Sequence, residues 1–126
     1  MERPLAFVIE DDRNLSEISA EALAEAGFRT KIIARGDKAL ARLTETVPDL
    51  VILDMHLPGV GGDKILGYIR SDPRLAKTRV VIASADTSLT QTLDAEADLT
   101  LLKPIDYIQL RDLARRLLSE HPLEGD

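Results

Sequence analysis

Cysteine is absent from the 126-residue chain, so neither disulfides nor thiolate chemistry is available to it. Aromatic residues are only 3% of the sequence, which excludes the stacking platforms that bind single-stranded nucleic acid. The formal net charge is −6, so the chain has no general attraction for nucleic-acid phosphate. No apolar run approaches the roughly 20 residues that a membrane span needs. We therefore expect a cytoplasmic protein that contacts neither a membrane nor, directly, nucleic acid.

The composition that is present is typical of one globular domain. Hydrophobic residues make up 44% of the chain and charged residues 30%, a balance that favours a packed core over disorder. The length also predicts a single domain, residues 1–126. We expect its ordered part at about residues 4–118, with 119–126 as a polar tail.

Short apolar runs predict five buried strands. The runs are continuous rather than alternating, which is typical of a parallel sheet covered on both faces. They are LAFVI (5–9), LVIL (50–53), VVIA (80–83) and LTLL (99–102), with TKIIA (30–34) as a weaker candidate.

Helical patterns separate these runs. In the first, Leu15, Ile18, Ala22 and Ala26 share one face, Asn14 resembles an N-terminal cap, and Gly27 follows as a stop. Further helices are predicted at 37–46, 63–71 and 106–120, while 86–98 is only weakly helical. The alternation of strand and helix predicts an open parallel sheet with helices on both faces.

Polar side chains follow most of the predicted strands. Glu10 and Asp11 follow the first, Asp54 the third, Ser84 the fourth and Lys103 the fifth. Sites in open α/β sheets form at the carboxyl ends of the strands, so we expect these side chains to converge. The adjacent Asp12 begins the next helix in our interpretation, because an acid is favourable there.

The chemistry of this group is that of phosphoryl transfer. Three carboxylates make an oxygen-rich pocket suited to Mg²⁺ or Mn²⁺, which also offsets their mutual repulsion. Asp54 is the candidate nucleophile, because a carboxylate can accept a phosphoryl group as an aspartyl phosphate. Lys103 supplies positive charge for the phosphoryl oxygens, and Ser84 supplies a hydroxyl donor.

The sequence resembles a response-regulator receiver domain of two-component signalling. The stretches that carry the resemblance are FVIEDD, ARGDKAL, PDLVILDMHLPGVGG, SDPRLAKTRVVIASA and AEADLTLLKP, in this order and at spacing similar to the family's. The resemblance implies a flavodoxin-like three-layer sandwich with strand order 2-1-3-4-5 and about five helices. It also implies a regulatory switch rather than a metabolic enzyme. Its phosphodonor would be a sensor histidine kinase or a histidine phosphotransfer protein, and its output an unknown downstream protein.

The resemblance assigns the metal ligands and the phosphoacceptor. Asp54 matches the phosphoacceptor and Asp11 the direct metal ligand, while Glu10 matches the acid that often acts through metal-bound water. His56 matches the position whose backbone carbonyl binds the metal, so we expect its side chain only to line the rim.

The remaining matched positions surround the phosphoryl group. Ser84 matches the hydroxyl residue that moves toward it, and Lys103 matches the lysine that contacts it. Pro104 matches the proline whose preceding peptide bond is usually cis. Ala85 matches a small residue that leaves room for the phosphodonor, and Asp86 lies at the rim, where with His56 it is expected to tune access of water.

The chain departs from the family pattern in the region that usually carries output. Thr100 replaces the aromatic residue whose rotation reports phosphorylation, so we expect no aromatic switch there. Only 19 positions separate Ser84 from Lys103, a few fewer than usual, which predicts a short or irregular fourth helix within 86–94. We therefore expect output through another surface, or through ordering of this segment. Arg79 replaces a proline that is common before the fourth strand.

Two other functions remain open. A phosphatase of the haloacid-dehalogenase type would need a second aspartate two residues after Asp54, where this chain has His56. A pseudo-receiver, acting as a phosphorylation-independent protein-binding module, would be expected to lack site residues that are present here.

Overall fold

Five parallel strands form one sheet in a computed structural model that describes residues 2–85 and 97–120. The strands are β1 (Leu5–Ile9), β2 (Arg29–Ile33), β3 (Leu50–Asp54), β4 (Arg79–Ser84) and β5 (Leu99–Leu102). Their order is β2-β1-β3-β4-β5, which confirms the predicted flavodoxin-like arrangement. The order reverses between β1 and β3, so the carboxyl ends of those strands flank the crevice where ligands bind in such sheets.

Four helices are described. They are α1 (Arg13–Ala26), α2 (Gly36–Glu45), α3 (Gly62–Ser71) and α4 (Tyr107–Glu120), and a short 3₁₀ turn, Pro73–Leu75, precedes β4. The segment in which a short or irregular helix is predicted, residues 86–94 between β4 and β5, lies outside the described residues. No helix in the part of the chain that the structure describes is long and apolar enough to cross a bilayer.

The helices cover the sheet on both faces and produce three layers. Alternate residues of a strand point to opposite faces, so Ala6 and Val8 of β1 pack under α1 and α4, while Phe7 and Ile9 pack under α2 and α3. The two resulting cores are well buried, which explains why the strand sequences are continuously apolar.

The start of α1 differs from the prediction. Asp12, not Asn14, is the N-cap, and its carboxylate accepts a hydrogen bond from the Leu15 N–H at 3.0 Å. Gly27 ends the helix as predicted, with a left-handed φ of 119° and its N–H directed to the carbonyls of Leu23 and Ala24.

The predicted apolar face of α1 is partly wrong. Ile18 is 42% exposed, whereas the small residues Ser16, Ser19 and Ala20 are buried. The buried stripe of α1 runs through small side chains where the helix packs against β1 and α4. Because this stripe faces the core, Ile18 faces solvent.

Two strands extend one residue beyond their apolar runs. Asp54 ends β3 and pairs with Ala83, and Ser84 ends β4 and pairs with Leu102. Hydrophobicity marks where a strand is buried in the core, but backbone pairing continues into the polar residues. Similarly, β2 covers 29–33 rather than the predicted 30–34, since its pairing with β1 begins at Arg29.

Candidate functional site

Three carboxylates meet at the carboxyl ends of β1 and β3. Glu10 and Asp11 directly follow β1, and Asp54 is the last residue of β3. Each offers one oxygen that lies within 4.8 Å of the others. Because β1 and β3 are hydrogen-bonded neighbours in parallel register, these acids are brought together although 43 positions separate Asp11 from Asp54.

The three acids differ in their exposure to solvent. The side chains of Glu10 and Asp54 are only 8% and 5% exposed, whereas Asp11 is exposed. Burial of like charges is unfavourable unless a positive group compensates them.

Lys103 supplies the compensating charge. Its Nζ lies 2.7 Å from Glu10 Oε1 and 3.2 Å from Asp54 Oδ1, so one ammonium bridges the two buried carboxylates. Lys103 directly follows β5, and its backbone N–H donates to the Ser84 carbonyl at 3.0 Å. The ends of β4 and β5 are therefore fixed to each other next to the acids.

The environment shifts the pKa values of Glu10 and Lys103. Burial raises the pKa of the Glu10 carboxyl, and the hydrogen bond from Lys103 opposes this without reversing it. Burial also works to lower the pKa of Lys103, but its hydrogen bond to Glu10 and the charge of Asp54 leave that pKa above its ordinary value. The site thus favours the cationic form of Lys103 and disfavours the ionised form of Glu10.

Asp12 lies beside the acidic group but has a structural role. Its backbone N–H donates to the second oxygen of Glu10 at 3.1 Å, while its carboxylate caps α1. This agrees with the interpretation that Asp12 begins the helix. Among the described residues, the set of Glu10, Asp11 and Asp54 is the one group of histidine and acidic side chains close enough to share a metal.

The loop after β3 places His56 at the rim. The His56 N–H lies 3.4 Å from Asp54 Oδ1, and its side chain is exposed. Two glycines close the loop, and the second, Gly62, is packed so tightly that a Cβ there would lie 2.5 Å from the Asp54 carbonyl oxygen. This role of Gly62 was not predicted. Its signal in the sequence is the doublet Gly61–Gly62 at the start of a predicted helix.

The other predicted positions surround the acids or lie farther along β5. Ser84 is completely buried at the end of β4, and Ala85 is exposed at the rim. The peptide bond between Lys103 and Pro104 is cis. Thr100 lies within β5, opposite Ile82 of β4, and is half-buried. Asp86 lies outside the described residues.

The donor set fits a hard divalent cation. Carboxylate oxygens are the ligands that Mg²⁺ and Mn²⁺ prefer, and the exposed Asp11 gives such an ion a path from solvent. A cation bound here would share the carboxylates with Lys103, which already occupies one oxygen of Glu10 and one of Asp54.

Comparison with curated proteins identifies similar sequences. The chain is 32% identical over 118 residues to the phosphate regulon transcriptional regulatory protein PhoB of Rhizobium meliloti, covering 91% of the chain and 52% of that protein. It is 31% identical over 102 residues to the DNA-binding response regulator MtrA of Mycobacterium tuberculosis, covering 81% of the chain and 45% of MtrA. The chain spans about half the length of these relatives.

Solved structures have the same fold. A putative response regulator from Chloroflexus aurantiacus superposes with a TM-score of 0.84 at 24% identity, covering 94% of this chain and 99% of that one. The signal receiver domain of a histidine kinase from Syntrophus aciditrophicus superposes with a TM-score of 0.81 at 27% identity, covering 93% and 91%. The sequence profile of the response regulator receiver domain matches residues 6–115, and the chain belongs to this family.

Proposed function

We propose that the chain is a phosphorylation-controlled switch that accepts a phosphoryl group on Asp54. The observation that carries this proposal is the convergence of Glu10, Asp11 and Asp54 at one edge of the sheet, with Lys103 bonded to two of them. Membership of the receiver family supports the same conclusion.

Mg²⁺ or Mn²⁺ would be held by Asp11, Asp54 and the backbone carbonyl of His56, with Glu10 acting directly or through water. A cation held there would supply positive charge to neutralise the phosphoryl oxygens during transfer. Side chains of the chain itself supply the nucleophile and the other contacts to the phosphoryl group.

Asp54 acts as the nucleophile in this mechanism. Its carboxylate oxygen forms the new P–O bond while the P–N bond to the donor histidine breaks, and the released imidazole takes up a proton. Lys103 then turns from its carboxylate partners toward the phosphoryl oxygens, and the Ser84 hydroxyl donates to the same group. Hydrolysis of the acyl phosphate resets the switch, so the domain has catalytic character without being a metabolic enzyme.

The signal leaves the site through the ends of β4 and β5. Because the Lys103 N–H is bonded to the Ser84 carbonyl, a shift of either side chain is transmitted to both strand ends. With Thr100 in place of an aromatic residue, the readout passes through another surface or through residues 86–94, which lie outside the described part of the chain.

Histidine kinases or histidine phosphotransfer proteins are the donors that this function needs. The downstream partner is a protein in our proposal, because an acidic domain with a net charge of −6 is unsuited to direct contact with nucleic acid. MtrA is named a DNA-binding regulator, but this chain matches about half of it. A cytoplasmic location remains a prediction.

The test is Mg²⁺-dependent labelling by a small phosphodonor such as acetyl phosphate. We expect wild-type protein to be labelled and Asp54→Asn not to be. Asp49→Asn is the matched control: Asp49 precedes the same strand at its opposite end, where its carboxylate accepts the Leu5 N–H at 2.8 Å. Full labelling of Asp54→Asn would refute the assignment, and a wild-type protein that neither binds Mg²⁺ nor becomes labelled would favour a phosphorylation-independent binding module.

A further inference from the structure

The first residue of α2 touches the loop that follows Asp54. Gly36 is buried, and its N–H donates to the Pro58 carbonyl at 2.9 Å. A Cβ at Gly36 would lie 1.7 Å from the Val60 carbonyl oxygen and 2.9 Å from the Val60 nitrogen. Its φ is not in the left-handed region, so glycine is required here by the close approach of two backbones.

The flanking residues hold the tip of the same loop. Arg35 donates from Nε to Asp37 Oδ1 at 3.0 Å, and both side chains lie close to Gly59. Gly59 has a left-handed φ of 87°, and a Cβ there would lie 2.5 Å from Asp37 Oδ1. Residues 35–37, which we call the α2 clamp, thus contact the loop at three consecutive positions, 58–60.

The other end of the loop is fixed to the phosphoacceptor. Gly62 packs against the carbonyl of Asp54, and its N–H donates to the Met55 carbonyl at 3.1 Å. His56 therefore lies on a short segment that is held at Asp54 on one side and by the α2 clamp on the other. A displacement of Val60 or Pro58 would be transmitted to the His56 carbonyl, two residues from Pro58.

We propose that the α2 clamp is a positioning element for the metal: it fixes loop 55–61 so that the His56 carbonyl faces the cation held by Asp11 and Asp54. This inference rests on the proposed function, which assigns that carbonyl to the metal. Gly36 acts through the loop and touches no reacting atom. Groups that orient metal ligands in this indirect way typically control metal affinity by 10- to 100-fold.

Gly36→Ala tests the proposal directly, because the added methyl group forces Val60 away. We expect Mg²⁺ affinity, measured by calorimetry well below the unfolding temperature, to fall about tenfold. The Mg²⁺ concentration for half-maximal labelling should rise equally, while the labelling rate at saturating Mg²⁺ stays within about twofold of wild type, since the clamp acts on metal binding.

Gly67→Ala is the matched control, because a Cβ at Gly67 has no neighbour within 4 Å. It should leave Mg²⁺ affinity unchanged. If Gly36→Ala does not fold, Asp37→Ala and Asp37→Asn replace it: both remove a charge, but only the amide keeps an oxygen for Arg35. A loss in Asp37→Ala that is largely restored in Asp37→Asn supports the clamp, whereas equal losses ascribe the effect to charge and overturn it.

The two proposals fail in different ways. Unchanged Mg²⁺ affinity in a folded Gly36→Ala, with wild-type protein binding Mg²⁺ and accepting phosphoryl normally, would overturn the clamp alone. Absence of Mg²⁺ binding in the wild-type protein would overturn the proposed function, and the clamp with it.

Discussion

Replacing Lys103 by Met would leave two buried carboxylates without their cation. The Lys103 ammonium lies 2.7 Å from Glu10 and 3.2 Å from Asp54, whose side chains are 8% and 5% exposed. Removing one partner of a buried ion pair typically costs about 3–5 kcal/mol. Because the Lys103 side chain is itself 20% exposed, we expect the low end, about 3 kcal/mol. For a domain of 126 residues this corresponds to a fall in Tm of roughly 10 °C.

Urea and thermal unfolding followed by circular dichroism, with and without MgCl₂, measure the effect. A cation that binds only the folded state stabilises it by mass action. We expect Mg²⁺ to raise the Tm of Lys103→Met by more than that of wild type, because in the variant it meets carboxylates that no ammonium neutralises. Lys64→Met, at an exposed position on α3, is the control and should change Tm little.

The pH dependence of the same pair provides a sign test. The folded-state pKa of Lys103 is raised above its ordinary value of 10.5, so its contribution is complete below that pH and is lost as the pH rises through the folded-state pKa. The difference in stability between wild type and Lys103→Met should therefore shrink above about pH 10.5. Equal stability of the two proteins at pH 7, or equal Mg²⁺ protection of both, would refute the reasoning.

Three further predictions concern other parts of the fold. The hydrogen bond to Glu25 raises the pKa of Tyr107. In a variant whose other tyrosine is replaced by phenylalanine, the tyrosinate absorbance should therefore titrate above pH 10.0, and a midpoint at or below this value would contradict the contact. The Asp98 carboxylate accepts a hydrogen bond from the N–H of buried Val80 at 2.7 Å. Asp98→Ala should therefore lower the free energy of unfolding by about 1–3 kcal/mol in urea titrations, and an unchanged midpoint would argue against this contribution. Binding of fluoroberyllate, a phosphoryl mimic, should shift NMR resonances within residues 86–102, and unchanged resonances would show that this segment does not carry the output.

The fold was predictable because periodicity and chain order are local properties of the sequence. Each predicted strand was found, and the polar residues at the ends of four strands predicted at which edge of the sheet the candidate site lies. The errors concern boundaries and orientation. Asp54 and Ser84 pair within their strands although they are polar, and the buried face of α1 is set by packing against α4, which no local pattern encodes.

The candidate site was predictable as a set of residues but not as a set of contacts. Chain order indicates that Lys103 approaches the acids, yet only the three-dimensional geometry shows that it bonds Glu10 more closely than Asp54. The packing of Gly36 on Val60 was also missed, because the two residues belong to different βα units and meet only after the sheet forms. Contacts of this kind depend on tertiary geometry rather than on spacing along the chain.

The chemical identity of the phosphorylated residue tests the central claim most directly. Wild-type protein is incubated with acetyl phosphate and Mg²⁺, the product is reduced with borohydride to convert an acyl phosphate into homoserine, and peptides covering residues 47–64 are sequenced by mass spectrometry. The predicted result is homoserine at position 54, present only when acetyl phosphate and borohydride are both supplied. A phosphoryl group on the imidazole of His56, or an unmodified Asp54 beside a labelled residue elsewhere, would contradict the proposed mechanism.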